Sequence, residues 1–144
     1  MYILLCSKHN LATEEFGIAF NLDIFLDFGT INMNMYELSR ILGILVDNAI
    51  EAAAQCSDEK IVNVIIKKDP KINRNLFIIE NTYINKDVNI DKIFEKGYTS
   101  KEDNAPAHGL GLAKVRKVLK KSNNLNLHTV KNETFFIQQL EIYN

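Results

Sequence analysis

Residues 32–56 constrain the fold more than any other stretch of the chain. At about 100° per residue, Leu38, Ile41, Leu42, Leu45, Val46, Ala49, Ala52 and Ala53 fall on one broad apolar arc. Glu37, Arg40, Asp47 and Glu51 fall opposite. An arc this wide requires a second layer to cover it. Asn34 has the side chain of an N-cap, and Glu37 follows three residues later in the manner of a capping box. Asn48 sits at the margin between the arcs, beside Ile41. Ile44 is the exception, an apolar side chain in the polar arc one turn before Asn48.

The covering layer is written as strands. Phe16 to Phe28 carries Ile18, Phe20, Leu22 and Ile24 at period two. Two β-rich runs, Lys60–Lys68 and Asn75–Asn81, flank a turn containing Pro70 and Asn73 and read as antiparallel neighbours. Asn124–Val130 and Thr134–Tyr143 form a hairpin around Lys131-Asn132. A second helix is expected from about Gly111 to Lys121, with Leu112, Val115, Val118 and Leu119 at helical spacing. Residues 1–15 are helix-compatible, and nothing caps their beginning, as in an excised piece. Residues 83–108 are polar and irregular apart from Ile90, Ile93 and Phe94. A loop this long in a compact domain is usually functional. The order β-α-β-β-loop-α-β-β implies an α+β, two-layer sandwich: an open, mostly antiparallel sheet with helices on one face.

Composition narrows the function classes. The 144 residues fit one domain. A hydrophobic fraction of 47% excludes a disordered chain, and a net charge of −1 argues against a general nucleic-acid binder. Cys6 and Cys56 match no metal spacing and read as reduced thiols of a cytoplasmic protein. No run approaches the ~20 apolar residues of a membrane span. Lys114, Arg116, Lys117, Lys120 and Lys121 read as a solvated helix face whose last cations complement the helix dipole.

Two features carry chemistry. The first is Asp47-Asn48-Ala-Ile-Glu51-Ala-Ala on the long helix. The second is Ile93-Phe94-Glu-Lys96-Gly97-Tyr-Thr99-Ser100-Lys101, a polar gap, then His108-Gly109-Leu110-Gly111-Leu112. A glycine-punctuated entry to a helix lets backbone N–H groups approach a phosphate, and the helix N-terminus adds positive potential.

In this order, separated by two strands and a loop, these features resemble the N-box, F-box and G2-box of Bergerat-fold (GHKL) ATP-binding domains. The nearest resemblance is to sensor histidine kinases of the quorum-sensing AgrC type, over about Phe16 to Tyr143. The resemblance implies Mg·ATP as ligand. Asn48 matches the asparagine that holds Mg²⁺, and an amide oxygen is a suitable hard ligand. Gly109, Leu110, Gly111 and Leu112 match the phosphate-facing G2 stretch. Residues from Lys96 to His108, including Gly97, Thr99 and Ser100, match the ATP lid. Phe94 anchors its leading edge, and Lys101 is the lid cation placed to meet a terminal phosphate.

Two positions depart from the family pattern. Most relatives carry Asp-x-Gly-x-Gly after the strand pair, where this chain reads Glu80-Asn81-Thr82-Tyr83. Asn81 still offers a side-chain oxygen to adenine. Ile44 occupies the place where gyrase-like members carry a water-activating glutamate. An isoleucine can neither act as a general base nor bind a metal. That favours phosphoryl transfer over hydrolysis and leaves the catalytic residues unassigned, with Glu51 a possible member of the cleft.

His9, His108 and His128 lack the acceptor pattern of a histidine kinase. The expectation is therefore a catalytic domain over residues 15–144, preceded by a stub of a dimerisation helix over 1–14. Its partners are its own phosphoacceptor domain and a response regulator, within a homodimeric parent anchored in the membrane. An ATP hydrolase, a serine kinase and a degenerate interaction module are the alternatives.

Overall fold

A computed structural model describes residues 1–87, 90 and 106–144, with side chains from 111 onward in the last segment. Five strands form one sheet in the order β1-β2-β3-β5-β4. They are β1 (Ala19–Ile24), β2 (Ile61–Lys68), β3 (Arg74–Thr82), β4 (Leu125–Lys131) and β5 (Phe135–Tyr143). The helices are α1 (Tyr2–Phe16), α2 (Met35–Ala54) and α3 (Pro106–Lys121). β1 and β2 are parallel, and every other pairing is antiparallel. A parallel pair needs a crossover, and α2 supplies it.

The register explains the layering. Phe20, Val62, Asn81 and Phe136 lie in one row across the sheet, as do Ile24, Ile66, Phe77 and Leu140. These rows share the face that meets Leu38, Ile41, Leu42, Leu45, Val46 and Ala49 of α2 in a single core. The apolar arc read from the sequence is buried except for the half-buried Ala52, and Ile50, outside that reading, is buried as well. The N-cap is as read, since the Asn34 side chain accepts from the Glu37 N–H at 3.1 Å, but no return bond to the Glu37 side chain is seen among the described residues.

α1 lies beside α2 and runs in the same direction, with Met1 next to Ser39 and Lys8 next to Asp47. Its Leu5 and Ala12 are fully buried in the shared core. The helix ends at Gly17, whose φ of 63° is a left-handed turn that a residue without Cβ adopts without strain.

This stop shortens the strand expected from Phe16 to Phe28, because Phe16 belongs to α1 and β1 starts only at Ala19. At its far end, Asp27 accepts from the Gly29 N–H and turns the chain into a short 3₁₀ helix, Phe28–Thr30. α3 in turn begins five residues before the expected Gly111. Pro106 at the first helical position is compatible with that start, since its missing N–H has no partner to lose there.

The opposite face of the sheet carries a polar network at one end. Arg74 donates to Asp69 at 2.7 Å, to the Tyr143 hydroxyl at 2.9 Å and to Glu141 at 2.9 Å. Glu141 is buried and also accepts from Asn126 and Gln139, each at 2.8 Å. Burial alone pushes the Glu141 carboxyl up. The hydrogen bonds from Asn126 and Gln139, with the charges of Arg74 and His128, outweigh it and hold the group below the ordinary glutamate range.

Candidate functional site

The C-terminal half of α2, the end of β3 and the first turns of α3 meet at one end of the sandwich. α2 packs against both β3 and α3. Asn48 stands half-buried on α2, and its side chain enters none of the hydrogen bonds seen among the described residues. Ile44 lies one turn earlier on the same face, because residues four apart on a helix are neighbours. It explains its own anomaly: an ideal Cβ on Gly111 would stand 3.2 Å from its Cγ2. α3 covers the part of the polar arc where Ile44 lies.

Asp47, read as part of that solvated arc, is bound instead by Lys8 of α1 at 2.6 Å. At 48% exposure of the Asp47 side chain, this pair contributes at most about 1 kcal/mol. Glu51, the possible cleft member, is half-buried one turn beyond Asp47.

Asn81 is on the helix-facing side of β3 and only 4% exposed. Its amide nitrogen donates to the Thr82 carbonyl at 3.0 Å. The donor half of the amide is thus used internally, and the acceptor half, Oδ1, is the atom available to a ligand. Thr82 points to the other face, where its hydroxyl oxygen accepts from the Ile61 N–H at 3.0 Å and joins β3 to the start of β2.

Tyr83 was legible in the sequence only as a missing glycine, yet it organises this end of the molecule. Its ring packs on Ala52 of α2, Leu112 of α3 and Phe136 of β5. The Phe136 contact is edge-on at 6.0 Å between centroids. The hydroxyl donates to the Asn132 carbonyl in the β4–β5 turn at 2.6 Å. The Lys86 ammonium lies 3.7 Å from the ring centroid. Burial, and then the charge of Glu133, push the phenol above its ordinary value. Tyr83 and Lys86 also line a cavity of about 420 Å³, with Cys56, Ser57, Asp58, Glu59, Thr82, Ile84, Glu133 and Thr134.

The backbone of His108, Gly109 and Leu110 lies within α3. An α-helix leaves its first N–H groups without an intrahelical partner. After Pro106, which has none, these belong to Ala107 and His108. Leu112 packs on Tyr83, and Gly111 faces α2. Phe94, Lys96, Gly97, Thr99, Ser100 and Lys101 lie outside the described residues.

The donor set fits a magnesium nucleotide. Mg²⁺ keeps most of its waters and takes one or two protein groups beside the phosphates, which the single uncommitted amide of Asn48 satisfies. Among the described residues no group of three His, Cys, Asp or Glu side chains could form a cage for the ion. No helix among them is long and apolar enough to cross a membrane.

Comparison with known proteins bears on this geometry. A family model described as "GHKL domain" matches residues 33–143. The catalytic domain of histidine kinase ThkA superposes with a TM-score of 0.74 at 19% identity, over 99% of this chain and 91% of that one. The Acinetobacter baumannii histidine kinase AdeS gives 0.71 at 16% identity, over 99% of this chain and 61% of that one. Full-length ShkA in complex with AMPPNP gives 0.71 at 20% identity, over 96% of this chain and 29% of that one. No curated protein sequence matches. The five-stranded sheet with its helices is therefore the fold of histidine kinase catalytic domains.

Proposed function

The chain belongs to the GHKL domain family, and on that premise we propose that it is the ATP-binding catalytic domain of a sensor histidine kinase. The observation that carries the reading is the close approach of Gly111 to Ile44, where an added Cβ would stand 3.2 Å from Cγ2. It brings the first turns of α3, with their free N–H groups, beside Asn48 on α2. An amide and a helix N-terminus side by side suit a metal-bound phosphate chain. Mg²⁺, when bound, neutralises charge on the transferring phosphoryl group.

The chain's own residues bind and orient. Asn48 offers its amide oxygen to the ion. The N–H groups of Ala107 and His108 point along the helix axis toward anionic oxygens. Asn81 offers Oδ1 to the exocyclic amino group of adenine. Glu51 borders the cleft. Ile44, packed under Gly111, supplies no base to activate water, which supports transfer rather than hydrolysis. For phosphoryl transfer, positioning and charge neutralisation are most of the catalysis. We assign Phe94, Lys96, Gly97, Thr99, Ser100 and Lys101 to a lid over the phosphates, with Lys101 meeting the terminal one; His108, read as the lid's last residue, belongs to the first turn of α3.

The acceptor histidine belongs to a separate dimerisation domain, whose last helix continues into residues 1–14 and here joins the core through Leu5 and Ala12. A response regulator takes the phosphoryl group next. The wording Asp47-Asn48-Ala-Ile-Glu-Ala and Gly97-Tyr-Thr-Ser-Lys101 supports the AgrC-like subgroup and a membrane-anchored homodimeric parent. The test is phosphotransfer from Mg·ATP by a longer chain that restores the upstream helices. Acid-labile phosphate on an upstream histidine is expected. Phosphate on His9 or His128 of the 144-residue chain, or steady ATP hydrolysis without phosphotransfer, would contradict the assignment.

A further inference from the structure

We infer that Gly111 and Ile44 form a positioning pair that sets how close the start of α3 stands to Asn48. The inference rests on the nucleotide-binding reading and adds a residue role to it. Gly111 lies inside α3, beyond the helix's unpaired N–H groups, so its own N–H is committed to the helix ladder. Its value is the missing side chain. A Cβ there would stand 3.2 Å from Ile44 Cγ2, closer than an ordinary contact, and one of the two must give by a few tenths of an ångström.

The next residue, Leu112, is held on Tyr83, whose hydroxyl is tied to Asn132. Consecutive residues of α3 therefore fix the helix from two sides. Leu112 prevents α3 from sliding, and the Gly111 notch lets it close onto α2. Asn48 stands one helical turn from the Ile44 methyl, so a displacement at that methyl is felt as a separation between the amide and the α3 N-terminus.

Local propensity and packing make opposite demands at this position. Alanine is the better helix former, by roughly 1 kcal/mol in a helix interior. On propensity alone Gly111→Ala stabilises α3, and on packing it lifts α3 from α2. The experiment is calorimetric titration with Mg·AMPPNP, alongside a thermal melt, of the wild type and four variants: Gly111→Ala, Ile44→Ala, Ile44→Ala/Gly111→Ala and Ile44→Val/Gly111→Ala. Gly111→Ala is expected to weaken binding by about tenfold, the fold-change of a ~1.4 kcal/mol penalty, with little change in melting temperature. The Ile44→Ala double variant should return to within threefold of Ile44→Ala alone, because the obstructing methyl is gone. The Ile44→Val double variant keeps that methyl and should stay weak.

Wild-type affinity in Gly111→Ala, or equal rescue by alanine and valine at position 44, would overturn the pair while leaving the nucleotide reading intact. A wild type that binds no nucleotide at millimolar concentration would overturn both.

Discussion

Replacing Tyr83 separates the two contributions this side chain makes. Tyr83→Phe removes one hydrogen bond, the 2.6 Å bond to the Asn132 carbonyl. Asn132 is exposed, so water can satisfy the freed carbonyl. The net cost is that of an ordinary neutral hydrogen bond, about 1 kcal/mol. Tyr83→Ala removes the ring as well. The ring is buried in the folded state, where the residue is 8% exposed. Truncating a buried aromatic side chain costs about 3–5 kcal/mol. Tyr83 anchors a small satellite cluster rather than the main core, which puts the expected value near the lower end, about 3 kcal/mol.

Urea denaturation followed by far-UV circular dichroism gives both values from midpoint shifts at constant slope. The expected ratio is about three to one. Equal destabilisation by phenylalanine and alanine would show that the hydroxyl, and not the packing on Ala52, Leu112 and Phe136, fixes this end. The pH dependence has a definite sign. The folded phenol is held above its ordinary value. Its contribution is full below about pH 10, the ordinary tyrosine value, and is lost as pH rises through the folded value. Tyr83→Phe should remove that alkaline decline.

Leu5→Ala should destabilise the domain by about 2–5 kcal/mol, measured by the same titration, because α1 is part of the core; a loss under 1 kcal/mol would make α1 a detachable appendage. Asn34→Ala should cost about 1 kcal/mol through the lost cap, with no change in nucleotide affinity by calorimetry. The folded carboxyl of Glu141 is depressed, so its contribution is full above about pH 4.3, the ordinary glutamate value. It is lost as pH falls through the lower folded value. Acid titration of the stability of Glu141→Gln should show a shallower decline in that window.

The sequence disclosed most where one residue pattern had one physical solution. The α2 arc, its Asn34 cap and the alternating strands were readable because burial on one face dictates the period. Boundaries failed where a tertiary contact or a single φ angle decides. Gly17 ended α1 later than the strand pattern suggested, and α3 took in Gly109, which read as part of the entry to the helix. Gly111 is tolerated there because Ile44 needs the space. Ile44 in turn looked misplaced because the helix that covers it is distant in sequence. Asn48 and Asn81 were singled out through motif wording. Lys8 and Tyr83 were missed, since an ion pair between α1 and α2 and a satellite cluster leave no periodic signature.

Calorimetric titration of Mg·AMPPNP into the wild type and Asn48→Ala decides whether Asn48 holds the ion. Saturable binding to the wild type is expected, weakening when Mg²⁺ is chelated. Asn48→Ala should keep its melting temperature within a few degrees and lose the Mg²⁺-dependent part. Unchanged Mg²⁺-dependent affinity in Asn48→Ala would contradict the placement of the metal ligand, and no heat from the folded wild type would contradict the nucleotide site itself.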